Sequence, residues 1–317
     1  MPPSTSQRIK DYLVSLGPGN AIVRLALKVH GRWHGFEITF ADKKISIRNS
    51  RKGHRELLLA EKDFYLVPII LEGFDQTFEE MEPRPEGNWV VLDFSGPGTH
   101  CYKRYGMTLA FPGFAEDDSI SAYTAWYEPK AGDLVFDIGA HAGFTTCMLA
   151  RMVEPGGHVV AFEPDTTSLA YLERNLHEQR ISNVTIVGKA IDGKTGTAYF
   201  NADGTMGAGL VEHSVYGDTG RRVLVDTLSL EDACTEFGVP QFVKMDIEGA
   251  EVAVIQSAAE FLRTHPMHLA FDSYHRLRDG RLTWMLLEPL LTSLGYEAGS
   301  SADFGQMFTW ARVRTPH

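Results

Sequence analysis

Cysteine is scarce: three in 317 residues, at positions 101, 147 and 234, with no C-x-x-C pair among them. That spacing excludes a zinc ribbon and a disulfide framework and fits a reducing compartment. Positive charge is short as well, with 30 Lys and Arg against 41 Asp and Glu and a formal charge of -11. A nucleic-acid partner, which needs a basic face to displace counterions, is not expected. No run approaches the ~18 apolar residues of a membrane span, and the opening MPPSTSQRIKDYLVSLGPGN has no apolar core of a secretion signal. A cytoplasmic protein without membrane contact is the expectation. Missing too is G-x-G-x-x-G after a strand, the glycine pattern that sets a helix start against a pyrophosphate.

What is present is enough apolar residue, 44%, to fill a large core. Up to about residue 125 the chain reads as short strands and turns. FEITF (36–40) and KISIR (44–48) alternate apolar with polar around ADK, as a hairpin does; WVVLDF (89–94) and MTLAF (107–111) read as further strands, with PRPEG (83–87) and SGPG (95–98) as turns. A small β-rich domain over residues 1–119 is predicted, either capping a site or joining copies of the chain as a homo-oligomer. From about 130 strands alternate with helices: DLVFDI, helix 144–153, HVVAFE, helix 166–179, NVTIVGKA, then QFVKMDI, a helix through 251–262, MHLAFDSY, helix 282–294 and QMFTWARV. Such alternation predicts an α/β fold with a mostly parallel sheet. The polar, glycine-rich segment 197–230 interrupts it and is expected to supply edge strands and a loop over the site.

In a sheet of this kind ligands collect at the carboxyl ends of the strands. Asp137, Glu163, Ala190 to Asp192, Asp246 and Asp272 all fall at predicted strand ends and so share one rim. The loop GAHAG (139–143) lets backbone approach a ligand, and Glu163, ending the next strand, is placed to accept two hydrogen bonds from a ribose diol. A nucleoside cofactor without phosphate suits such a loop, and S-adenosylmethionine is one.

The segments GDLVFDIGAHAGFTT, VVAFEPDTTSLAYLERNL, VDTLSLEDAC and KMDIEGAEVAVIQSA, in this order and spacing, resemble the FkbM-type methyltransferases, a branch of the class I S-adenosylmethionine-dependent enzymes. The resemblance runs over roughly residues 120 to 312. It implies a Rossmann-like, seven-stranded, mostly parallel sheet with a reversed last strand over 120–317, the reversed strand supplied by QMFTWARV. It also implies that Asp137, Gly139, Ala140 and Gly143 shape the methionine side of the pocket, that Glu163 holds the ribose, and that Ala190, Ile191 and Asp192 flank adenine. Asparagine is commoner in the family where this chain has His141, which is read as a plain loop position.

Methyl transfer to a hydroxyl needs orientation and removal of a proton, the latter normally worth ~10²–10⁴-fold. KMDIEGAE puts Lys244 and Asp246 on one strand face, with Asp246 aimed at the cofactor rim and Glu248 just beyond; Glu251 reads as an ordinary helix-start acid. His275, after the next strand, approaches the same rim and, with an ordinary pKa near 6.5, is expected to be the general base, so that His275, Asp246 and Lys244 form the catalytic group. Asp246, Glu248 and His275 also read as ligands for a divalent metal, but their spacing is not diagnostic and Lys244 argues against a cation, so no metal is expected. The expected activity is O-methylation of a small-molecule acceptor such as a sugar or natural product. An NAD- or nucleotide-sugar-dependent oxidoreductase and a non-catalytic S-adenosylmethionine-binding protein remain as alternatives.

Overall fold

The computed structural model describes residues 17, 19–51, 53–116, 118–202, 208–213, 222–303 and 306–313. The chain divides into two compact units, Met1–Asp117 and Asp118–His317.

The first unit is a mixed α+β fold rather than the strands and turns expected. Helix Ala21–Trp33, capped by the Asn20 side chain, which accepts from the Ile22 amide, turns Val23, Leu27 and Gly31 inward. Gly31 lets Ile38 pack against the helix, because a Cβ there would stand 2.6 Å from Ile38 Cδ1. Strands β1 (Glu37–Ala41) and β2 (Lys44–Asn49) form the predicted hairpin, closed by Asp42 and Lys43, both left-handed at φ 50° and 59°. This two-residue turn matches the right-handed twist of its strands. β3 (Arg55–Ala60) leads through a 3-10 turn, Glu61–Leu66, into helix Val67–Glu80, which buries Val67, Ile70, Leu71, Phe74 and Phe78. PRPEG is not only a turn: Arg84–Glu86 forms β4, an edge strand where Pro85 is tolerated. β5 (Trp89–Phe94) completes a sheet of order β1-β2-β3-β5-β4, and β6 (Gly98–Tyr102) pairs with β7 (Met107–Phe111).

The second unit begins with helix Ile120–Thr124 and carries the seven-stranded sheet. Five of its strands come in parallel: β8 (Leu134–Ile138), β9 (His158–Phe162), β10 (Val184–Val187), β14 (Phe242–Met245) and β15 (His268–Asp272). Their buried runs, such as VFDI and FVKM, are continuous rather than alternating, as strands covered on both faces must be. Helices Phe144–Met152 and Thr166–Glu178 follow β8 and β9. β16 (Glu297–Ser301) and β17 (Phe308–Arg312) follow helix Trp284–Ser293, and β17 lies antiparallel between β15 and β16. The order is β10-β9-β8-β14-β15-β17-β16, so the chain reverses its direction of travel between β8 and β14. That reversal opens a crevice at the strands' carboxyl ends.

Two expectations need correction here. The helix expected over 251–262 breaks at Ala258 into Glu251–Ser257 and Ala259–Thr264. Segment 197–230 does not add edge strands to the main sheet: β12 (Gly196–Asn201) and β13 (Arg222–Leu228) form a separate three-stranded sheet with β11 (Ala190–Ile191). Most of the loop expected within it, 203–207 and 214–221, lies outside the described residues.

Candidate active site

β8 ends in the small-residue loop, and two constraints make its first glycine obligatory. Gly139 is left-handed at φ 81°, and a Cβ on it would fall 1.9 Å from the Asp246 carbonyl oxygen. The amides of Gly139 and Ala140 both donate to the Phe162 carbonyl, which ties the loop to the end of β9. Ala140 is itself buried with its amide so used, so it supports the loop from behind instead of facing a ligand with its N–H. Gly143, at φ 92°, starts helix Phe144–Met152, and its missing side chain makes room for Leu172 Cδ1. The Asn175 amide donates to Ala142 O from helix Thr166–Glu178.

His141 is more than a plain loop position. It is left-handed at φ 46°, a conformation in which Asn, Asp and His are enriched among non-glycine residues. Its amide donates to Glu163 Oε2 at 2.8 Å, while Asp165 N donates to Glu163 Oε1 at 2.8 Å. Glu163 is thus aimed and held by backbone from two sides, with a second lone pair on each oxygen for a ribose hydroxyl. Burial pushes its carboxyl up to about 7, against the pull of the Asp165 amide and of His141.

Asp137 is fully buried within β8, and its cross-strand neighbour in β14 is Lys244. Lys244 Nζ stands 3.1 Å from Asp137 Oδ1 and donates to Gly139 O at 2.6 Å; Thr146 Oγ1 donates to Asp137 Oδ2 at 2.6 Å. Lys244 was expected in the catalytic group; the structure sets its ammonium beneath the loop, on Asp137 and the Gly139 carbonyl, where it positions the loop. Ala190 and Ile191 are buried in β11, and Asp192 follows them. Asp192 Oδ1 accepts from Gly193 N at 2.7 Å and meets His213 Nε2 at 2.9 Å. Burial would raise the Asp192 carboxyl, but these two contacts outweigh it and hold the group below its ordinary range.

On the other side of Gly139 the structure brings together Asp246, Glu248, Glu251 and His275. The Asp246 amide extends the ladder to Ile138 O at 3.0 Å, which fixes the start of the turn. Glu248 is left-handed at φ 58°, an uncommon state for a residue with a Cβ. Around the His275 ring, Nε2 lies 3.5 Å from Asp246 Oδ1 and 3.6 Å from Glu248 Oε1, and Nδ1 lies 3.0 Å from Glu251 Oε1. Burial works to lower the ring's pKa, yet Glu248, Glu251 and Asp246 overcome it and set it well above the ordinary value. The expectation that His275 is the general base thus meets a ring whose side chain is 4% exposed and whose neighbouring carboxylates favour its charged form. Glu251, read as an ordinary helix-start acid, is fully buried and accepts from Ile247 N at 3.0 Å. Burial would raise its carboxyl, but His275 keeps it below the usual range. Tyr123 also belongs here, with its hydroxyl 3.3 Å from Asp246 Oδ2 and its ring 5.5 Å from Lys244 Nζ. Nothing in the sequence marks Tyr123, because its partners lie more than a hundred residues away. Asp272, placed on the same rim, instead accepts from Gln306 Nε2 at 2.8 Å.

The family described as "Methyltransferase FkbM domain" matches residues 137–307, more than half of the chain. A curated protein-L-isoaspartate O-methyltransferase of Aeropyrum pernix is 31% identical over 74 residues, 23% of this chain and 26% of that protein. Among solved structures, methyltransferase FkbM from Methylobacillus flagellatus is 18% identical with a TM-score of 0.46, covering 80% of this chain and 54% of its own. A precorrin-6y C5,15-methyltransferase from Geobacter metallireducens gives 12% identity and a TM-score of 0.41 over 63% of this chain and 90% of its own. The chain therefore spans about half of the first structure and a quarter of the curated relative. With loop, acid and KMDIEGAE in place across the matched region, the chain belongs to the FkbM methyltransferase family.

Proposed function

We propose that this protein methylates a hydroxyl oxygen of a small molecule. The observation that carries the reading is the half-open carboxylate cluster at the β14 and β15 ends, directly across Gly139 from the cofactor loop. When bound, S-adenosylmethionine supplies an electrophilic methyl group on a sulfonium. The residues fit such a group: Glu163 is aimed for a diol, and Asp192 keeps one carboxylate oxygen outside the contacts to Gly193 and His213. Asp246 and Glu248, whose side chains are 31% and 26% exposed, stand where an acceptor can reach them; His275 at 4% does not. Asp246 accepts the hydroxyl proton and orients the oxygen, and His275, braced by Glu251, holds Asp246 in place. A positioned base of this kind is worth ~10²–10⁴-fold.

The acceptor is a small molecule rather than nucleic acid, supported by the chain's charge of -11. Among the described residues no helix is long and apolar enough to cross a membrane. Incubation of the protein with methyl-labelled S-adenosylmethionine and a metabolite extract tests the reading. The expected product is a labelled methyl ether in the low-mass fraction. Label found only in protein or RNA sinks it.

A further inference from the structure

The four side chains at the acceptor side make more than a base. Asp246, Glu251 and His275 offer donor atoms that all lie within 4.8 Å of one another. His275 is 5% exposed; its Nδ1 stands 3.0 Å from Glu251 Oε1, while its Nε2 completes no hydrogen bond. Glu251 Oε2 is likewise buried without a hydrogen-bond partner. A buried imidazole in that condition is unusual, since buried polar groups are nearly always bonded.

The spacing has a simple geometric reading. Two ligands held at about 2.0–2.2 Å from one ion stand about 2.9–3.6 Å apart at octahedral or tetrahedral angles. Asp246 Oδ1 lies 3.5 Å from His275 Nε2, long for a hydrogen bond and within the reach of a cation between them, and Glu248 Oε1 stands 3.6 Å from the same nitrogen. Glu251 on the opposite ring nitrogen is the outer carboxylate that commonly orients a metal-bound imidazole. Three carboxylates surround a ring that offsets at most one of their charges. Lys244, the reason from sequence to doubt a cation here, has its charge answered by Asp137 at 3.1 Å.

We propose that Asp246 and His275 bind a divalent cation of the manganese or magnesium type, with Glu251 as the outer partner of the imidazole and Glu248 as the carboxylate at the mouth of the site. Mixed carboxylate and imidazole donors suit Mn²⁺ better than the purely oxygen-seeking Ca²⁺. The inference deepens the reading of this rim as the methyl-acceptor site. A cation there would take the acceptor hydroxyl oxygen as a further ligand and favour its ionised form, easing transfer of the proton to Asp246.

Titration of the full chain with Mn²⁺, followed by loss of the free-ion electron paramagnetic resonance signal, tests this without turnover. The expected result is one ion per chain, displaced by excess Mg²⁺, with binding at least tenfold weaker in Asp246→Asn and in Glu248→Gln. Melting curves show that each variant is folded; Glu248→Gln, at the exposed mouth, decides alone if Asp246→Asn is not. No binding at millimolar Mn²⁺, or equal binding by the variants, overturns the proposal. S-adenosylmethionine affinity is measured on the same samples by calorimetry. Cofactor binding without Mn²⁺ binding sinks the metal site alone, whereas Mn²⁺ binding without cofactor binding leaves the metal site standing and removes the methyltransferase reading.

Discussion

Glu163 ends β9 with both carboxylate oxygens already accepting backbone hydrogen bonds, and burial still leaves its pKa at about 7 against an ordinary 4.5. Folding therefore favours the protonated form. The associated stability is fully present below about 4.5 and is lost as the pH rises through about 7. Ribose hydroxyls donating to the carboxylate reverse that preference, so cofactor binding releases a proton at mildly acidic pH. Affinity for S-adenosylmethionine should rise from pH 6 to pH 8 in the wild type and lose that component in Glu163→Gln. Glu163→Ala should weaken binding by about 1–3 kcal/mol, the worth of hydrogen bonds to a charged group. Calorimetry at several pH values measures both, and unchanged affinity on substitution would remove Glu163 from the site. Glu163 was legible in sequence as an acid at a strand end after a glycine loop. The setting of His275 was not, because it depends on Glu248 and Glu251 turning back toward a ring more than twenty residues on.

Between elements, the Asp137–Lys244 pair is what fastens β8 to β14 at the crevice. The two are register partners, with side chains only 0% and 4% exposed, so neither charge has water as an alternative. Removing one partner, as in Lys244→Met, should cost about 3–5 kcal/mol, because Asp137 is left buried and uncompensated. Thermal melting measures this, and the double variant with Asp137→Asn should recover part of the loss. A melting temperature equal to the wild type would show that the pair carries no such load. Period-two reading put Lys244 on the Asp246 face but could not give its neighbour across the sheet, which is a matter of register. The strands and helices after residue 130 were legible for a related reason: apolar runs bounded by glycine and acid need no tertiary knowledge. β16 was missed because EAGSS carries no apolar alternation; it is a strand because Gly299 leaves room for the Trp310 ring opposite it. Helices Ala21–Trp33 and Val67–Glu80 were missed despite inward stripes at helical spacing, since short β-like pieces around them drew the reading toward strands.

At the scale of the molecule, the second unit contains every residue assigned here to cofactor and acceptor. A protein beginning at Asp118 should therefore bind S-adenosylmethionine with affinity within a few-fold of the full chain, as calorimetry would show. Failure to bind while remaining folded would mean that the first unit takes part in cofactor recognition. The first unit is proposed to join copies of the chain, and loss of self-association on its removal would show it. β17 bears on how the chain is made. It is the last of the described strands, yet it sits one place in from the sheet edge, and β16 can join only through it. About 40 residues separate the end of β15 at Asp272 from the end of β17 at Arg312, a few seconds of translation at ~5–20 residues per second. For that interval the nascent sheet stops at a bare β15, and over its last eleven or so residues β16 is already made with no strand to dock against.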